Sequence, residues 1–334
     1  MKNILCDLKN MILLDMNLQL MAEPNTQTTD SAGLTHEMKI FYSDYLIDSA
    51  HPRLVHDQFG QKHPIPKNGG KTIQFRKYSP LPKMLTPLTE GVTPDGQSLT
   101  VTTIEASIQQ YGGYITISDV LQLTAVDNNM MQATKLLGNQ AGATLDTITR
   151  EVLNGGTNVI YSGGVTSREA VADVLTVADI KKAARALKVQ NADKIGDSFV
   201  AIIHPDVTYD LTNDPDWKAP HQYVDTENMY TGEIGKIAGV RFVETTEAKI
   251  WANAGSGGKS VYSTLVLADN AYGITDVAGG GLRHIVKQLG SAGTSDPLDQ
   301  RASVGWKAMR VAERLVEQFM VRIESVSTFD SEAN

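Results

Sequence analysis

Between Met130 and Val152, apolar or small side chains recur three and four residues apart, at Met130, Ala133, Leu137, Ala141, Leu145, Ile148 and Val152. That spacing places them on one face of a helix. It predicts a helix over Asn128–Leu153, roughly 39 Å long at ~1.5 Å per residue. Asp127 can cap its start and Asn154-Gly155-Gly156 can stop it. Gly138, Ala141, Gly142 and Ala143 leave its middle slim enough for another backbone to approach. A second helical face is carried by Val177, Ile180, Ala184 and Leu187, with Lys181, Lys182, Arg185 and Lys188 elsewhere around the axis. Thr176 and Asp179 have the spacing of a capping box there. Elsewhere the pattern is that of strands. Phe199–Ile203 is a continuous apolar run stopped by His204-Pro205. Gly239–Thr245, Thr264–Ala268 and Arg283–Gln288 are further strand-like runs. Within Val311–Val326, Phe319, Val321 and Ile323 alternate with Met320, Arg322 and Glu324, as in a strand returning to the first body. Helices and strands mix without a βαβ rhythm, so the expected class is α+β.

One stretch fits neither period. Lys71–Lys77 and Leu99–Ile108 are strand-like, and around the connection between them Tyr78–Thr103 carries Pro80, Pro82, Pro87 and Pro94. Proline removes ladder donors and sets φ, so this arm is expected to be extended and open-edged. A two-stranded hairpin alone is marginal in water. Either the arm is a disordered loop or a neighbouring subunit orders it. Ahead of it, a mixed segment with a weakly helical Met38–Ile47 runs to Gly70. Met1–Leu20 differ in character from the polar stretch opening at Met21, which makes Met21 a candidate start.

Composition narrows the classes. A chain of 334 residues has room for about two domains at ~150 residues each. Apolar content of 41% with 20% charged residues is that of a globular protein. A single cysteine, Cys6, excludes an internal disulfide. No apolar run reaches the ~20 residues of a membrane span, and Asp15 interrupts the short run Met11–Leu14, a poor signal peptide. A net charge of −8 is not that of a nucleic-acid binder. The charge is uneven, however. His51–Lys83 holds seven basic residues (Arg53, Lys62, Lys67, Lys71, Arg76, Lys77, Lys83) against one acid, Asp57. A basic arm on an acidic body suits self-association, and equally a solvated basic strand. Direct nucleic-acid binding ranks third, because only Phe59, Phe75 and Tyr78 offer stacking platforms there.

Motifs for catalysis are near-misses. The phosphate-loop pattern around Gly258-Lys259-Ser260 needs glycine where Asn253 stands, and around Gly70-Lys71-Thr72 it needs glycine where Ile65 stands. His51, His56 and His63 fall at irregular spacing and read as surface histidines; His204, His221 and His284 stand alone. Asp210, Asp214 and Asp216 lack the glycine and closing glutamate of a calcium loop and read as solvated loop acids. The glycine-rich 255–258 and 279–281 stretches read as surface loops. No catalytic residue, metal site or cofactor is expected.

Four stretches carry a resemblance. They are HDQFGQKHPIPKNGGKTIQFRKYSPLPK at 56–83, LTEGVTPDGQSLTVTTIEASIQQYGGYITISD at 88–119, TGEIGKIAGVRFVET at 231–245 and DPLDQRASVGWKAMRVAERL at 296–315. With the order arm, hairpin, long helix, α+β unit and returning strand, they resemble the major capsid proteins of tailed bacteriophages, specifically the N4-like phage capsid proteins and their prophage relatives. The resemblance covers about Gly33–Ser325 and implies the HK97-like (Johnson) fold. It implies an N-terminal extension and arm at 1–70, and an extended loop with flanking strands at 71–118. A peripheral domain would comprise 119–164 and 282–334 with its spine helix at 128–153, and an axial domain 165–281. It also implies a homo-oligomer of pentamers and hexamers, a shell in the virion that encloses double-stranded DNA without reading its sequence. Assembly would take place in the host cytoplasm, with a portal and with scaffolding or cement proteins as further partners, and with no membrane. Only Met1–Gly70 precede the hairpin, without sustained heptads, so no large scaffolding segment is expected to be cut away. Lys83, Met84, Leu85, Leu88 and Glu90 are the expected inter-subunit contacts. One relative cross-links a loop lysine to a neighbour's asparagine; Lys83 sits in the corresponding loop, without a motif that carries the chemistry over. The alternatives are an encapsulin-like nanocompartment shell enclosing a cargo enzyme and, more distantly, a nucleotide-binding enzyme.

Overall fold

The computed structural model describes residues 26–27, 54–66, 70–78, 81–88, 90–93, 96–124, 129–217, 235–276, 280–291 and 296–331. The candidate start at Met21, the helix expected at 38–47, the Asp127 cap, Cys6, His51 and His221 lie outside them. In chain order the first elements are β1 (Thr26–Gln27), β2 (Gln61–Lys62), β3 (Thr72–Tyr78), β4 (Val101–Ser107), β5 (Gln109–Ser118), α1 (Asp119–Thr124), α2 (Asn129–Asn154) and β6 (Val159–Tyr161). There follow α3 (Val177–Val189), β7 (Phe199–Ile203), α4 (Pro205–Asn213), β8 (Lys236–Ile237), β9 (Val240–Glu244), β10 (Ile250–Trp251) and β11 (Val261–Leu267). The last are β12 (Tyr272–Asp276), β13 (Arg283–Lys287), β14 (Arg301–Arg314) and β15 (Met320–Ser325). The helix expected from the apolar spacing at 128–153 is α2, closed by Gly155 N–H donating to the Glu151 carbonyl (3.1 Å) and Gly156 N–H to that of Leu153 (3.3 Å).

Two compact units divide the chain. The smaller comprises Met1–Ile47, Gly112–Gly138 and His284–Trp306. In it β5 lies between β1 and β14, and β13 also pairs with β14. Thr26 of β1 stands opposite Thr116 in parallel register. Gly305 of β14 lies against β5: a Cβ there would lie 2.8 Å from that of Tyr114 and 2.9 Å from the Gly113 carbonyl oxygen. Helix α1 starts with Ser118 Oγ accepting from Leu121 N–H (3.2 Å) and with Asp119 N–H donating to the Gln300 carbonyl (2.9 Å). Ile117, Leu121, Met130, Leu137, Val304 and Trp306 are buried here.

The larger unit comprises Asp48–Tyr111, Asn139–Arg283 and Lys307–Asn334. Its centre is a sheet ordered β6-β15-β11-β7-β9-β8, with β10 also on β11. Pairing is parallel at β6/β15 and β7/β9 and antiparallel at the other registers. Phe199, Ala201 and Ile203 of β7 pack with Val177, Ile180, Ala184 and Leu187 of α3 and with Val207 and Leu211 of α4. Ile202 packs in a different cluster, with Leu153, Leu265, Leu267 and Tyr272. A strand covered on both faces has no polar alternation, which is why Phe199–Ile203 reads as an unbroken apolar run. Each large apolar side chain fully buried on α3 contributes about 1.5–3 kcal/mol. The Thr176 side chain accepts from Asp179 N–H (3.3 Å), the cap expected from the spacing.

Two elements were hidden. His204-Pro205 ends β7 as expected, but the same pair also starts α4: His204 Nδ1 accepts from Asp206 N–H (3.2 Å) and Pro205 occupies the first turn, where its missing N–H costs nothing. The second is β14, the longest strand described. Of its fourteen residues, RASVGWKAMRVAER, eight are alanine, methionine, arginine or lysine, which favour helices. Its burial still alternates in part, with Ala302, Val304, Trp306, Ala308, Arg310 and Ala312 buried. The alternating run 319–324 becomes β15, all six of whose residues are buried between β6 and β11. The strand that pairs with β5 and β12 is β14.

Candidate functional site

The large unit carries a pair of strands that join no other sheet among the described residues. These are β3 and β4, antiparallel from Thr72↔Ser107 to Tyr78↔Val101. Phe75 seats the base of the pair. Its ring lies over Gly273 of β12, where a Cβ would come within 3.0 Å of it, and meets the His63 ring edge-on at 5.5 Å. Ile108 N–H donates to the Lys71 carbonyl at 2.9 Å, and Gln74 Nε2 to Glu105 Oε1 at 2.6 Å. Beyond Phe75, Arg76, Lys77 and Tyr78 are all exposed.

From Leu81 to Thr100 none of the described residues pairs as strand. Their apolar side chains are turned out to solvent: Leu85 is 84% exposed, Leu88 76%, Leu99 68%, and Met84 and Val92 63% each. All five residues expected to make contacts, Lys83, Met84, Leu85, Leu88 and Glu90, are exposed. The Met84 sulfur accepts from Gln97 Nε2, which ties the outgoing limb to the returning one. Lys83 and Glu90 have no ion-pair partner among the described residues. Tyr78, Leu81, Val92, Leu99 and Val101 extend the same apolar surface and were not singled out as contacts. Their signal was present, as large apolar residues inside a proline-rich stretch that cannot form its own core. Nothing in the sequence pointed to Gly273 as the seat of Phe75.

The ionisable groups are occupied internally. His56, read as a surface histidine, is buried: its N–H donates to Asp146 Oδ1 (2.7 Å), and Nδ1 lies 2.6 Å from Asp146 Oδ2 on α2. Beside it Asp57 accepts from Thr149 Oγ1 (2.7 Å) and meets Arg310 of β14 at 2.6 Å. Burial pushes the Asp57 carboxyl above its ordinary value, and Arg310 and Thr149 offset this only in part. The Tyr272 hydroxyl donates to the His56 carbonyl, and burial raises its pKa well above the usual tyrosine range. Glu324, fully buried in β15, accepts from Arg168 Nε (2.7 Å) and Nη2 (2.8 Å) and from Arg322 Nε (2.8 Å). Arg168 Cζ also lies over the Trp251 ring, 3.7 Å from its centroid.

The loop acids are corrected too. Asp210 is buried on α4 and accepts from Ser327 Oγ (2.7 Å) and Thr328 N–H (2.8 Å). Asp214 accepts from Val177 N–H (3.0 Å) at the start of α3; of the three, Asp216 alone is exposed, facing Lys181 at 3.4 Å. Each group ties one element to another. The two phosphate-loop near-misses lead into β11 and β3, where a phosphate cradle needs a helix. No cluster among the described residues could hold a metal ion, and none of their helices is long and apolar enough to cross a membrane.

The family model for phage capsid proteins matches residues 101–319. No curated protein matches in sequence. In structure the chain is similar to the capsid of Ralstonia phage GP4, at 15% identity and a TM-score of 0.65 over 93% of this chain and 98% of that one. It is similar to the capsid of cyanophage P-SCSP1u, at 14% identity and 0.64 over 90% and 93%. It is also similar, at 9% identity and 0.53 over 91% and 96%, to the SrpI encapsulin of Synechococcus elongatus. At such identities structural likeness establishes the HK97-like fold, which phage capsids and an encapsulin share.

Proposed function

Because the chain belongs to the phage capsid protein family, as a major capsid protein whose copies build the icosahedral shell of a tailed phage, we propose that its exposed arm is the device that joins one copy to the next. The observation that carries this is the exposed apolar row from Leu81 to Leu99 on an arm that, among the described residues, is seated at its base. None of the described residues covers this row, and the adjoining subunit of a shell would supply a surface. Met84, Leu85 and Leu88 would provide most of the contact, at about 1.5–3 kcal/mol for each side chain fully buried. Lys83 and Glu90 would add at most ~1 kcal/mol each if they stay solvated.

On the same reading, residues 71–118 are the extended loop with its flanking strands, following an arm at 1–70. Residues 119–164 and 282–334 form the peripheral domain, and 165–281 the axial domain. Copies assemble in the host cytoplasm through pentamers and hexamers around double-stranded DNA, with a portal and with scaffolding or cement proteins as partners. The role is structural and not enzymatic; the buried carboxylates, arginines and His56 serve as ties between elements. The second reading, a compartment shell enclosing a cargo enzyme, is favoured by the likeness to an encapsulin and disfavoured by the family match. Electron microscopy of purified particles, followed by nuclease and mass-spectrometric analysis of their contents, separates the two. DNA protected until the shell is opened is expected. Particles filled with a second protein and free of DNA would contradict the DNA-container reading.

A further inference from the structure

We propose that the large unit binds an acidic peptide segment of a partner protein, one that carries an apolar side chain between its carboxylates, in a groove between α3 and the turn from β8 to β9. The groove is open to solvent, has a volume of about 430 Å³ and is lined by Lys181, Ala184, Arg185, Lys188, Val189 and Ala238. The inference stands on this groove and not on the reading of the arm.

Two elements build it. Lys181, Ala184, Arg185 and Lys188 follow one another at short helical intervals, so they share one face of α3. Ala184 is buried against the core beneath that face, whereas Lys181, Arg185, Lys188 and Val189 are exposed. The other wall is Ala238, in the tight turn across which Ile237 pairs with Val240. Ala238 has a φ of 53° and Gly239 one of 81°. Two-residue turns of this hand favour asparagine or aspartate ahead of the glycine. Alanine forgoes that preference and gives the groove a methyl group, and a residue held in a disfavoured conformation points to a function.

The charges select the occupant. Lys182, off this face, is paired with Asp179 at 2.8 Å, and Lys181 faces the exposed Asp216 at 3.4 Å. Arg185 and Lys188 have no acidic partner among the described residues. No acid lines the groove, so three cations surround an apolar centre on a chain whose net charge is −8. An apolar side chain of the ligand seats against Ala184, Val189 and Ala238. Carboxylates on either side of it reach Lys181, Arg185 and Lys188, the charge-assisted pairing by which basic clusters take acidic motifs. Nucleic acid would use the same cations but leave the apolar centre without a role, and no aromatic ring lines the groove to stack a base. The same face of a second copy would bring like charges together.

The test measures fluorescence anisotropy of a short labelled peptide, one leucine set between glutamates, with the full chain as unassembled subunit. Saturable binding is expected, weakening as salt is added. A peptide with serine in place of the leucine should bind roughly tenfold more weakly or worse. Arg185→Glu with Lys188→Glu should lose at least about tenfold in affinity while keeping the wild-type urea midpoint, because both side chains are exposed. Ala238→Asn gives an independent check: it should keep or raise the urea midpoint, since asparagine suits the turn, and still weaken peptide binding. Absence of saturable binding to the wild type would overturn the proposal, as would binding that neither set of substitutions alters. Equal binding of the serine peptide, or tighter charge-dependent binding of a short DNA duplex, would also overturn it and leave the groove a site for polyanions. Self-association that the double variant abolishes, without peptide binding, would assign the groove to a second copy instead.

Discussion

Two buried aspartates carry opposite pH signatures. Burial raises the Asp57 carboxyl above its ordinary value of 3.8. A carboxyl that holds its proton more tightly when folded contributes stability fully present below the unfolded value, and this is lost as pH rises through the folded one. Asp179 is the reverse. Burial alone would raise it, but hydrogen bonds from Lys182, Thr176 and Ser162 outweigh burial and hold it below 3.8. Its contribution is present above the unfolded value and lost as pH falls through the folded one. In urea titrations of unassembled subunit, the wild-type stability relative to Asp57→Asn should therefore decline as pH rises above about 4. The wild-type advantage over Asp179→Asn should shrink as pH falls below ~3.9. Parallel pH profiles for either pair would mean that the carboxyl is not perturbed as described.

At the scale of elements, the arm depends on a glycine in another strand. A side chain at Gly273 would meet the Phe75 ring at 3.0 and 3.1 Å and Leu315 Cδ1 at 3.3 Å. Gly273→Val should unseat Phe75, destabilise the subunit by about 1–3 kcal/mol through overpacking, and open Arg76 and Lys77 to trypsin. Phe75→Ala should give the same cleavage without the clash; a base that stays resistant in both would show that the arm is held by something else. Helices α2 and α3 and strand β7 were legible in the sequence because one face or both faces of each are apolar at the proper period. Strand β14 was not, because its alternation is written in small and cationic residues whose partners come from distant segments, such as Asp57 for Arg310. His56 and Asp210 were misplaced for the same reason. Local spacing cannot show that Asp146, ninety positions from His56, or Ser327 and Thr328, more than a hundred from Asp210, bring buried partners.

For the whole molecule, the proposed reading divides the work of folding, done by the body, from that of assembly, done by the arm. The body buries its apolar sheet faces within itself, as Phe199–Ile203 illustrates. The arm leaves Leu85 and Leu88 in solvent, and fixing its backbone costs ~1–2 kcal/mol per residue in conformational entropy, which no described residue offsets and which, on the proposed reading, a partner surface does. The arm's proline-rich sequence already posed this choice between a free loop and one ordered by a neighbour. The most direct measurement replaces Leu81–Leu99 with a short Gly-Ser turn and follows the full chain by circular dichroism, urea unfolding and electron microscopy. The account predicts a soluble subunit with the wild-type spectrum and unfolding midpoint that forms no closed shells. Shells of normal size and number from that variant would contradict it, because the arm would then be a surface loop with no part in joining the copies.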